Sequence, residues 1–242
     1  MYTSGYREFE SLILRHFSGV ISNSEHQVIV KNSQQDIVIN LHKYHRKIGI
    51  KISGGADSAI LTYILSMYVK IEKPELQIVP ITIVHPEKSY QYLFASKVID
   101  FCKEKFGELF AEHQVLKSSN RFTHDTEQMN FVNDLYAKGV IDCHFFGVTK
   151  NPPSEVVEKM DVEGPSDKRD HEIPLSTQEG TSFRPFVNID KKGIAELYRE
   201  LNVLDSLFPL TRSCEELTQD FSKHCQWCWF CQERFWGFER YE

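Results

Sequence analysis

The fold is decided by Lys51-Ile52-Ser53-Gly54-Gly55-Ala56-Asp57-Ser58-Ala59-Ile60. The residues before this run alternate between apolar and polar, which predicts a strand, and apolar residues at helical spacing follow it. Adjacent glycines allow a tight turn whose backbone N–H groups converge on an anion. The run therefore predicts a strand, a phosphate-binding turn and the start of a helix.

Three polar side chains strengthen the phosphate interpretation of this turn. Ser53 and Ser58 add hydroxyl donors, and Asp57 can orient a donor or a metal ion. Two glycines alone would indicate only an ordinary tight turn. The chain lacks the pattern Gly-x-x-x-x-Gly-Lys-Ser/Thr, so an enzyme of the Walker type is not predicted.

Length and charge limit the class of protein. The 242 residues suit one α/β domain with additions, and the net charge of −6 disfavours a broad surface for nucleic acid. No long uncharged apolar run suggests a membrane span, and the first residues do not resemble a signal peptide. We expect a cytoplasmic protein that acts on small molecules, without a membrane partner.

The alternation of apolar patterns predicts an α/β fold. Strands are predicted at 47–52, 77–84, 114–116 and 143–148, and helices at 58–69, 89–106 and 125–137. This order indicates a parallel, doubly wound sheet with ligands at the carboxyl ends of its strands. The polar turns expected there are residues 53–58, His85 and Thr149-Lys150-Asn151.

Three regions are predicted along the chain. Residues 1–45 form an N-terminal extension with an amphipathic helix at 6–16 and a hairpin around 32–35. Residues 46–205 form the α/β domain. Residues 206–242 form a cysteine-rich appendage.

Two further features of the α/β region concern the site. The polar segment 150–184 predicts a long loop beside the site, which is either a lid or disordered. Asp190 is a good N-cap for a helix whose first residue is Lys191. A lysine at the positive end of a helix indicates a role toward an anion, although a solvated surface lysine fits the pattern equally well.

Four cysteines in the last 29 positions predict a structural metal centre. They are Cys214, Cys225, Cys228 and Cys231. Four thiolates around one ion leave no open coordination position, so zinc is expected to stabilise the fold and not to catalyse. An iron–sulfur cluster and a redox pair of Cys225 and Cys228 are the alternatives.

The aromatic residues and remaining cysteines have packing interpretations. Trp227, Trp229 and Trp236 are expected to cover the metal centre, although a ring could stack on a heterocyclic substrate. His224 is expected to lie beside the centre without binding the ion. Neither Cys102 nor Cys143 is placed as a convincing nucleophile, and both are expected to be buried.

The loop and the cysteines together resemble a known family. The pattern Ser-Gly-Gly-x-Asp-Ser resembles the loop of the PP-loop ATP pyrophosphatase superfamily. The added C-terminal pattern Cys…Cys-x-x-Cys-x-x-Cys resembles its 7-cyano-7-deazaguanine synthase branch, as do Pro185-Phe186, Lys191 and residues 210–214. The resemblance is specific at residues 51–59 and 184–236.

The resemblance implies a function and a set of site residues. It implies that a small heterocyclic carboxylate, 7-carboxy-7-deazaguanine, is converted with ATP, magnesium and ammonia to the nitrile in the queuosine precursor pathway. Relatives in this family are commonly homodimers. By this likeness the catalytic residues are Asp57, Ser58 and Lys191. The residues that bind ATP are Ser53, Gly54, Gly55, Ala56, Asp57 and Ser58, and the zinc ligands are the four cysteines.

Other functions stay open at this level. The same adenylation chemistry can act on another acceptor, and a sulfur-transfer enzyme would need a reactive Cys102 or Cys143. A non-enzymatic module could bind single-stranded nucleic acid through Trp227, Trp229 and Phe230. Few basic residues surround the cysteines, which disfavours that last function.

Overall fold

The computed structural model describes residues 17–21, 25–160, 181–216, 221 and 223–242. The strands are β1 (Phe17–Ile21), β2 (Glu25–Val30), β3 (Ile37–His42), β4 (Lys47–Lys51), β5 (Gln77–Val84), β6 (Gln114–Lys117), β7 (Cys143–Phe146) and β8 (Ser182–Phe183). The helices are α1 (Ala56–Glu72), α2 (Tyr90–Phe106), α3 (His124–Ala137), α4 (Ser154–Val157), α5 (Lys191–Glu200) and α6 (Trp229–Phe238), with a 3₁₀ turn at Phe208–Leu210.

A five-stranded parallel sheet forms the centre of the fold. Its order is β6-β5-β4-β7-β8, and every neighbouring pair is parallel. Strand β4 lies in the middle, where Ile48 pairs with Ile78 on one side and with Cys143 on the other. The chain leaves β4 in one direction and returns on its other side, so the order reverses beside the loop after β4. The predicted parallel α/β sheet is confirmed.

Helices cover both faces of this sheet, because the strands are apolar on both sides. Ile78 of β5 belongs to the large core with α1, α2 and α5. Its neighbour Val79 points the other way and packs with Leu135 of α3 in a second core. Alternate residues of one strand therefore face different helical layers, which is the doubly wound arrangement expected from the sequence.

The predicted hairpin near the N-terminus is present and has a third strand. Strands β1, β2 and β3 form an antiparallel sheet with β2 in the middle. Val30 and Ile37 of this sheet are buried in the same core as α1 and α5. Its turn contacts α5, since the Asn32 amide donates to the carbonyl of Gly193 at 2.9 Å.

Two predictions differ from the structure or lie outside the part that it describes. Segment 150–184 is not a loop throughout, because it holds α4 and, near its end, the edge strand β8. The hydrogen bonds of a parallel ladder require only backbone groups, so two residues beside β7 suffice for pairing although the sequence shows no strand pattern there. Residues 161–180 and the predicted helix at 6–16 lie outside the described residues.

Within the described ranges, none of the helices combines the length and apolar character that crossing a bilayer requires.

Candidate active site and metal centre

The turn after β4 has the conformation that the sequence predicts. Gly54 has a φ of +82°, and a Cβ there would lie 2.6 Å from the Cβ of Phe94. Only glycine fits both demands. Gly55 is the N-cap of α1, so the positive end of the α1 dipole points into the turn.

Serine hydroxyls inside the turn fix its shape. The Ser58 hydroxyl accepts from the backbone N–H of Ser53 at 3.2 Å and donates to the carbonyl of Gly55 at 3.1 Å. Ser58 is buried, and these hydrogen bonds of its hydroxyl stay within the turn. Its hydroxyl therefore supports the turn from within.

Two other segments hold the turn from outside. The backbone N–H of Arg212 donates to the carbonyl of Gly54 at 2.8 Å. The buried Tyr198 hydroxyl of α5 donates to the carbonyl of Ala56 at 2.8 Å. The turn is thus tied both to α5 and to the segment that leads into the cysteines, and it is preorganised before any ligand binds.

Lys191 lies at this turn and not on the solvated surface. Its Nζ is 2.7 Å and 2.6 Å from the two carboxylate oxygens of Asp57, and only 4% of the residue is exposed. The Nζ is also 3.6 Å from Oε2 of Glu233, which is 1% exposed. The N-cap carboxylate of Asp190 accepts from the backbone N–H of Lys192, so α5 begins at Lys191 as predicted. One buried lysine therefore faces two carboxylates from two helices.

A cavity of about 280 Å³ opens beside this lysine. One side is formed by the turn and α5, through Ser53, Gly55, Ala56, Asp57 and Lys191. The other side is formed by Tyr90, Gln91, Thr149, Arg212, Phe230 and Glu233. Gly54 and Ser58 support the turn without lining the cavity. Polar backbone groups, a cation and aromatic walls thus meet at the carboxyl edge of the sheet.

The turn after the second central strand contributes differently from the prediction. His85 does not line the cavity, and its ring instead packs against that of His124, with centroids 4.8 Å apart. Tyr90 and Gln91, at the start of α2, line it. Because the chain turns back at residues 85–89, the helix start and not the strand end reaches the cavity.

Gly147 allows the chain after β7 to pass the start of α1, and an alanine there should be costly. Its Cβ would lie 2.9 Å from the carbonyl carbon of Asp57 and 3.0 Å from the backbone nitrogen of Ser58. Backbone atoms cannot move as a flexible side chain can, so we expect Gly147→Ala to lower the free energy of unfolding by about 1–3 kcal/mol. Urea denaturation followed by circular dichroism measures this change.

Gly55→Ala is the matched control for that measurement. A Cβ at Gly55 would meet nothing closer than 3.4 Å, and its backbone is extended. We expect its free energy of unfolding to change by less than about 1 kcal/mol. Equal effects of the two substitutions would contradict the steric explanation.

The four predicted metal ligands converge at one point. The sulfur atoms of Cys214, Cys225, Cys228 and Cys231 all lie within 4.8 Å of one another. Cys225 Sγ and Cys231 Sγ are 3.8 Å apart, and a tetrahedral ion with metal–sulfur bonds of 2.3 Å places its sulfur atoms about 3.8 Å apart. An iron–sulfur cubane puts several metal atoms between its thiolates and spreads them further. The spacing fits a single tetrahedral ion.

Hydrogen bonds to sulfur also suit thiolate ligands. The backbone N–H of Cys225 donates to Cys214 Sγ at 3.4 Å, and that of Cys228 donates to Cys225 Sγ at 3.3 Å. His224 Nε2 faces the backbone N–H of Ser213 at 3.4 Å. That nitrogen therefore supports the chain beside the cluster and is not aimed at an ion.

Arg234 anchors α6, the helix that holds Cys231 in its first turn. Its guanidinium donates to the Thr211 hydroxyl at 2.9 Å, to the Ser213 hydroxyl at 3.1 Å and to the carbonyl of Tyr241 at 2.6 Å. The residue is fully buried, which lowers the pKa of Arg234 to about 10. These bonds join α6 to the segment on either side of the cysteines.

The sequence suggested that all three tryptophans cover the cysteine cluster, but the structure differs. The Trp227 side chain is 64% exposed, whereas Trp229 and Trp236 are half-buried. Trp236 packs against Lys192, whose Nζ lies 5.1 Å from the ring centroid. Phe238, at the end of α6, enters the main core and stacks on Phe208 at 4.1 Å.

Cys102 and Cys143 are buried, as predicted. Burial raises the pKa of Cys102 to about 12 and also raises the pKa of Cys143. Cys143 begins β7, at the edge of the sheet opposite the cavity. Neither thiol has the exposure or the lowered pKa of a nucleophile.

Sequence reasoning missed Tyr90, Arg212 and Glu233 as cavity residues. The only signal for Glu233 is its helical spacing with Phe230 and Gly237, which puts all three on one face of α6. A charged residue and a glycine on one face indicate a close polar contact, but they do not name its partner. That partner, Lys191, lies 42 positions earlier in the sequence.

Comparison with known proteins gives similarities in structure only. No family model matches the chain, and no curated protein matches it. The U34-tRNA thiolase NcsA from Methanococcus maripaludis, solved with its [4Fe-4S] cluster, is similar with a TM-score of 0.45 and 16% identity. The match covers 73% of this chain and 63% of the thiolase, so this chain matches less than two thirds of that protein.

An NAD⁺ synthetase from Burkholderia pseudomallei is similar with a TM-score of 0.35 and 12% identity. The match covers 78% of this chain and 74% of the synthetase. Neither similarity decides the family or the activity of this chain. Its own residues carry the functional proposal.

Proposed function

We propose that this protein is a PP-loop enzyme that adenylates a carboxylate with ATP and passes it to ammonia. The observation that carries the proposal is the Lys191–Asp57 pair at the glycine turn, beside the cavity. A polyphosphate binds well where a buried cation, the N-terminus of a helix and the backbone of a glycine turn meet. All three meet here. The most specific substrate we propose is 7-carboxy-7-deazaguanine.

The first proposed step joins the substrate to AMP. A carboxylate oxygen forms a bond to the α-phosphorus of ATP as the bond from that phosphorus to the bridging oxygen breaks, so pyrophosphate leaves and an acyl-adenylate remains. Ser53, Gly55 and Lys191 would hold the phosphates in line with the carboxylate. Magnesium bound with ATP supplies further neutralisation of charge.

The later steps replace oxygen by nitrogen. Ammonia adds to the acyl carbon, AMP leaves with the carboxylate oxygen, and one proton is released to give the amide. A second ATP adenylates the amide oxygen with loss of pyrophosphate. Departure of AMP and of both amide protons then leaves the nitrile. None of these steps requires a nucleophile from the protein.

The aromatic side of the cavity suits a flat heterocyclic acceptor. Tyr90 and Phe230 line it, and the guanidinium of Arg212 lies 5.0 Å from the ring centroid of Tyr90. The buried state of Cys102 and Cys143 argues against sulfur transfer by either thiol, because a thiol that carries sulfur must be accessible as a thiolate. For the four cysteines we propose a structural zinc ion.

The proposal is tested by incubating the protein with ATP, magnesium, ammonium and 7-carboxy-7-deazaguanine. AMP, pyrophosphate and the nitrile are followed by mass spectrometry. We expect all three products, and a loss of at least about a hundredfold in Asp57→Asn, because Asp57 sets the lysine at the turn. Glu104→Gln, a change of an exposed acid on α2, should keep full activity.

The outcomes separate the parts of the proposal. AMP and pyrophosphate without nitrile would overturn the deazaguanine substrate and retain adenylation of another acceptor. No AMP with any tested carboxylate would overturn adenylation. Salt-dependent binding of single-stranded nucleic acid would then support the non-enzymatic module.

A further inference from the structure

We infer that Glu233 is a positioning residue that holds Lys191 at the phosphate site, an inference that rests on the proposed function. Glu233 and Asp57 reach the same ammonium group from different helices, α6 and α1. Asp57 belongs to the nucleotide turn itself, with 21% of its side chain exposed. Glu233 is buried and belongs to α6, outside the turn.

The backbone of α6 also touches Lys191 directly. A Cβ on Gly237 would lie 2.6 Å from Cγ of Lys191 and 2.8 Å from its carbonyl oxygen. Gly237 and Glu233 are four residues apart, on one face of α6. The glycine admits the stem of the lysine while the carboxylate reaches its ammonium group. The face of α6 therefore fits the whole length of this side chain.

Two separate attachments fix the position of α6. Cys228 is its N-cap and Cys231 lies in its first turn, so the cysteine centre sets where the helix begins. The guanidinium of Arg234 ties the same helix to residues 208–213. A helix held this firmly is a suitable support for an active-site side chain, because small displacements of a catalytic group are costly to rate.

A second carboxylate matters most when phosphate binds. Both Asp57 oxygens bond to the lysine in this structure, and a nucleotide with its cation would compete for the same oxygens. Glu233 offers a counter-charge that does not belong to the turn, and it keeps the ammonium group aimed at the turn. Charge develops on the transferring phosphoryl group and on pyrophosphate in the transition state, so the aim of Lys191 should affect kcat more than KM.

The position of Lys191 is measured by amine labelling, which does not require activity. The protein is treated briefly with acetic anhydride, and acetylation of each lysine is quantified by mass spectrometry after chymotryptic digestion. In Glu233→Gln we expect Lys191 to react at least about fivefold faster than in the wild type, because the ammonium group has lost one of its two restraints. An unchanged rate at Lys191 overturns the inference.

Two other lysines are internal controls in the same sample. Lys192 is exposed, and its rate should be the same in both proteins. Lys51 is bonded to Gln128 at 2.6 Å, and burial lowers its pKa. Equal acceleration at Lys51 and Lys191 would indicate general loosening of the fold and would overturn a specific role for Glu233.

Kinetics test whether the position matters for the reaction. For AMP formation by Glu233→Gln we expect kcat to fall about tenfold and the KM for ATP to change less than about threefold. Glu239→Gln, an exposed acid just after α6, should match the wild type in labelling and in rate. An unchanged kcat overturns the inference. Absence of AMP in the wild type overturns the proposed function instead, and the labelling result still decides whether Glu233 holds Lys191.

Discussion

Replacing Lys191 with methionine should reduce ATP-dependent AMP formation by at least about a hundredfold. Methionine keeps the length of the side chain but removes the cation that lies at the glycine turn. The change should also lower the free energy of unfolding by about 3–5 kcal/mol, because it removes the cation from a buried cluster of two carboxylates and one ammonium group. Mass spectrometry measures the formation of AMP, and urea denaturation measures the free energy of unfolding.

The double variant Lys191→Met/Glu233→Gln separates activity from stability. Glutamine removes the buried charge, so part of the lost stability should return. The activity should stay at the level of Lys191→Met, because the cation is still absent. Recovery of AMP formation in the double variant would show that Lys191 acts on the fold alone.

Replacing Cys231 with serine should remove the metal and destabilise the protein. Structural zinc contributes on the order of 10 kcal/mol to the folding of small zinc domains, and one lost thiolate forfeits a large part of it. We expect at least about 3 kcal/mol of lost stability, or a fall in Tm of about 6–12 °C for a chain of this size. Elemental analysis and calorimetry measure the metal content and the Tm.

Cys102→Ala is the control for that prediction. Cys102 is as deeply buried as Cys231 but lies in α2, outside the cluster. It should lose some stability through packing and keep a full complement of metal. Equal metal content in both variants would contradict the four-cysteine site. If the wild type contains iron and absorbs visible light, the site holds an iron–sulfur cluster and not zinc.

Local patterns were sufficient for four of the five strands of the central sheet and for the cysteines. The strand predicted at 77–84 has the same limits in the structure, because eight uncharged residues rich in Ile, Val and Thr favour a buried strand between helices. The turn at residues 53–58 could be predicted because a positive φ at one position requires glycine there. The grouping of the four cysteines could be predicted because residues that share one ion often lie close together in sequence.

Contacts between segments that are distant in the chain could not be predicted from the sequence. The sequence left Lys191 equally suited to the surface and to an anion, and the structure buries it between α1 and α6. The strand β8 was missed because its two residues owe their conformation to pairing with β7. The cavity wall made by Tyr90 and Phe230 joins residues 140 positions apart.

By itself, the sequence determined the main strands and helices of the α/β region, where the glycine turn lies and which four thiols can share an ion. These properties depend on residues within one helix, one strand or one turn, and the local chemistry of a side chain is enough to state them. Only the tertiary structure decided that Asp57, Lys191 and Glu233 meet. Their meeting depends on how three helices pack around a sheet, which is an energy shared by many residues and written in no single stretch of the chain.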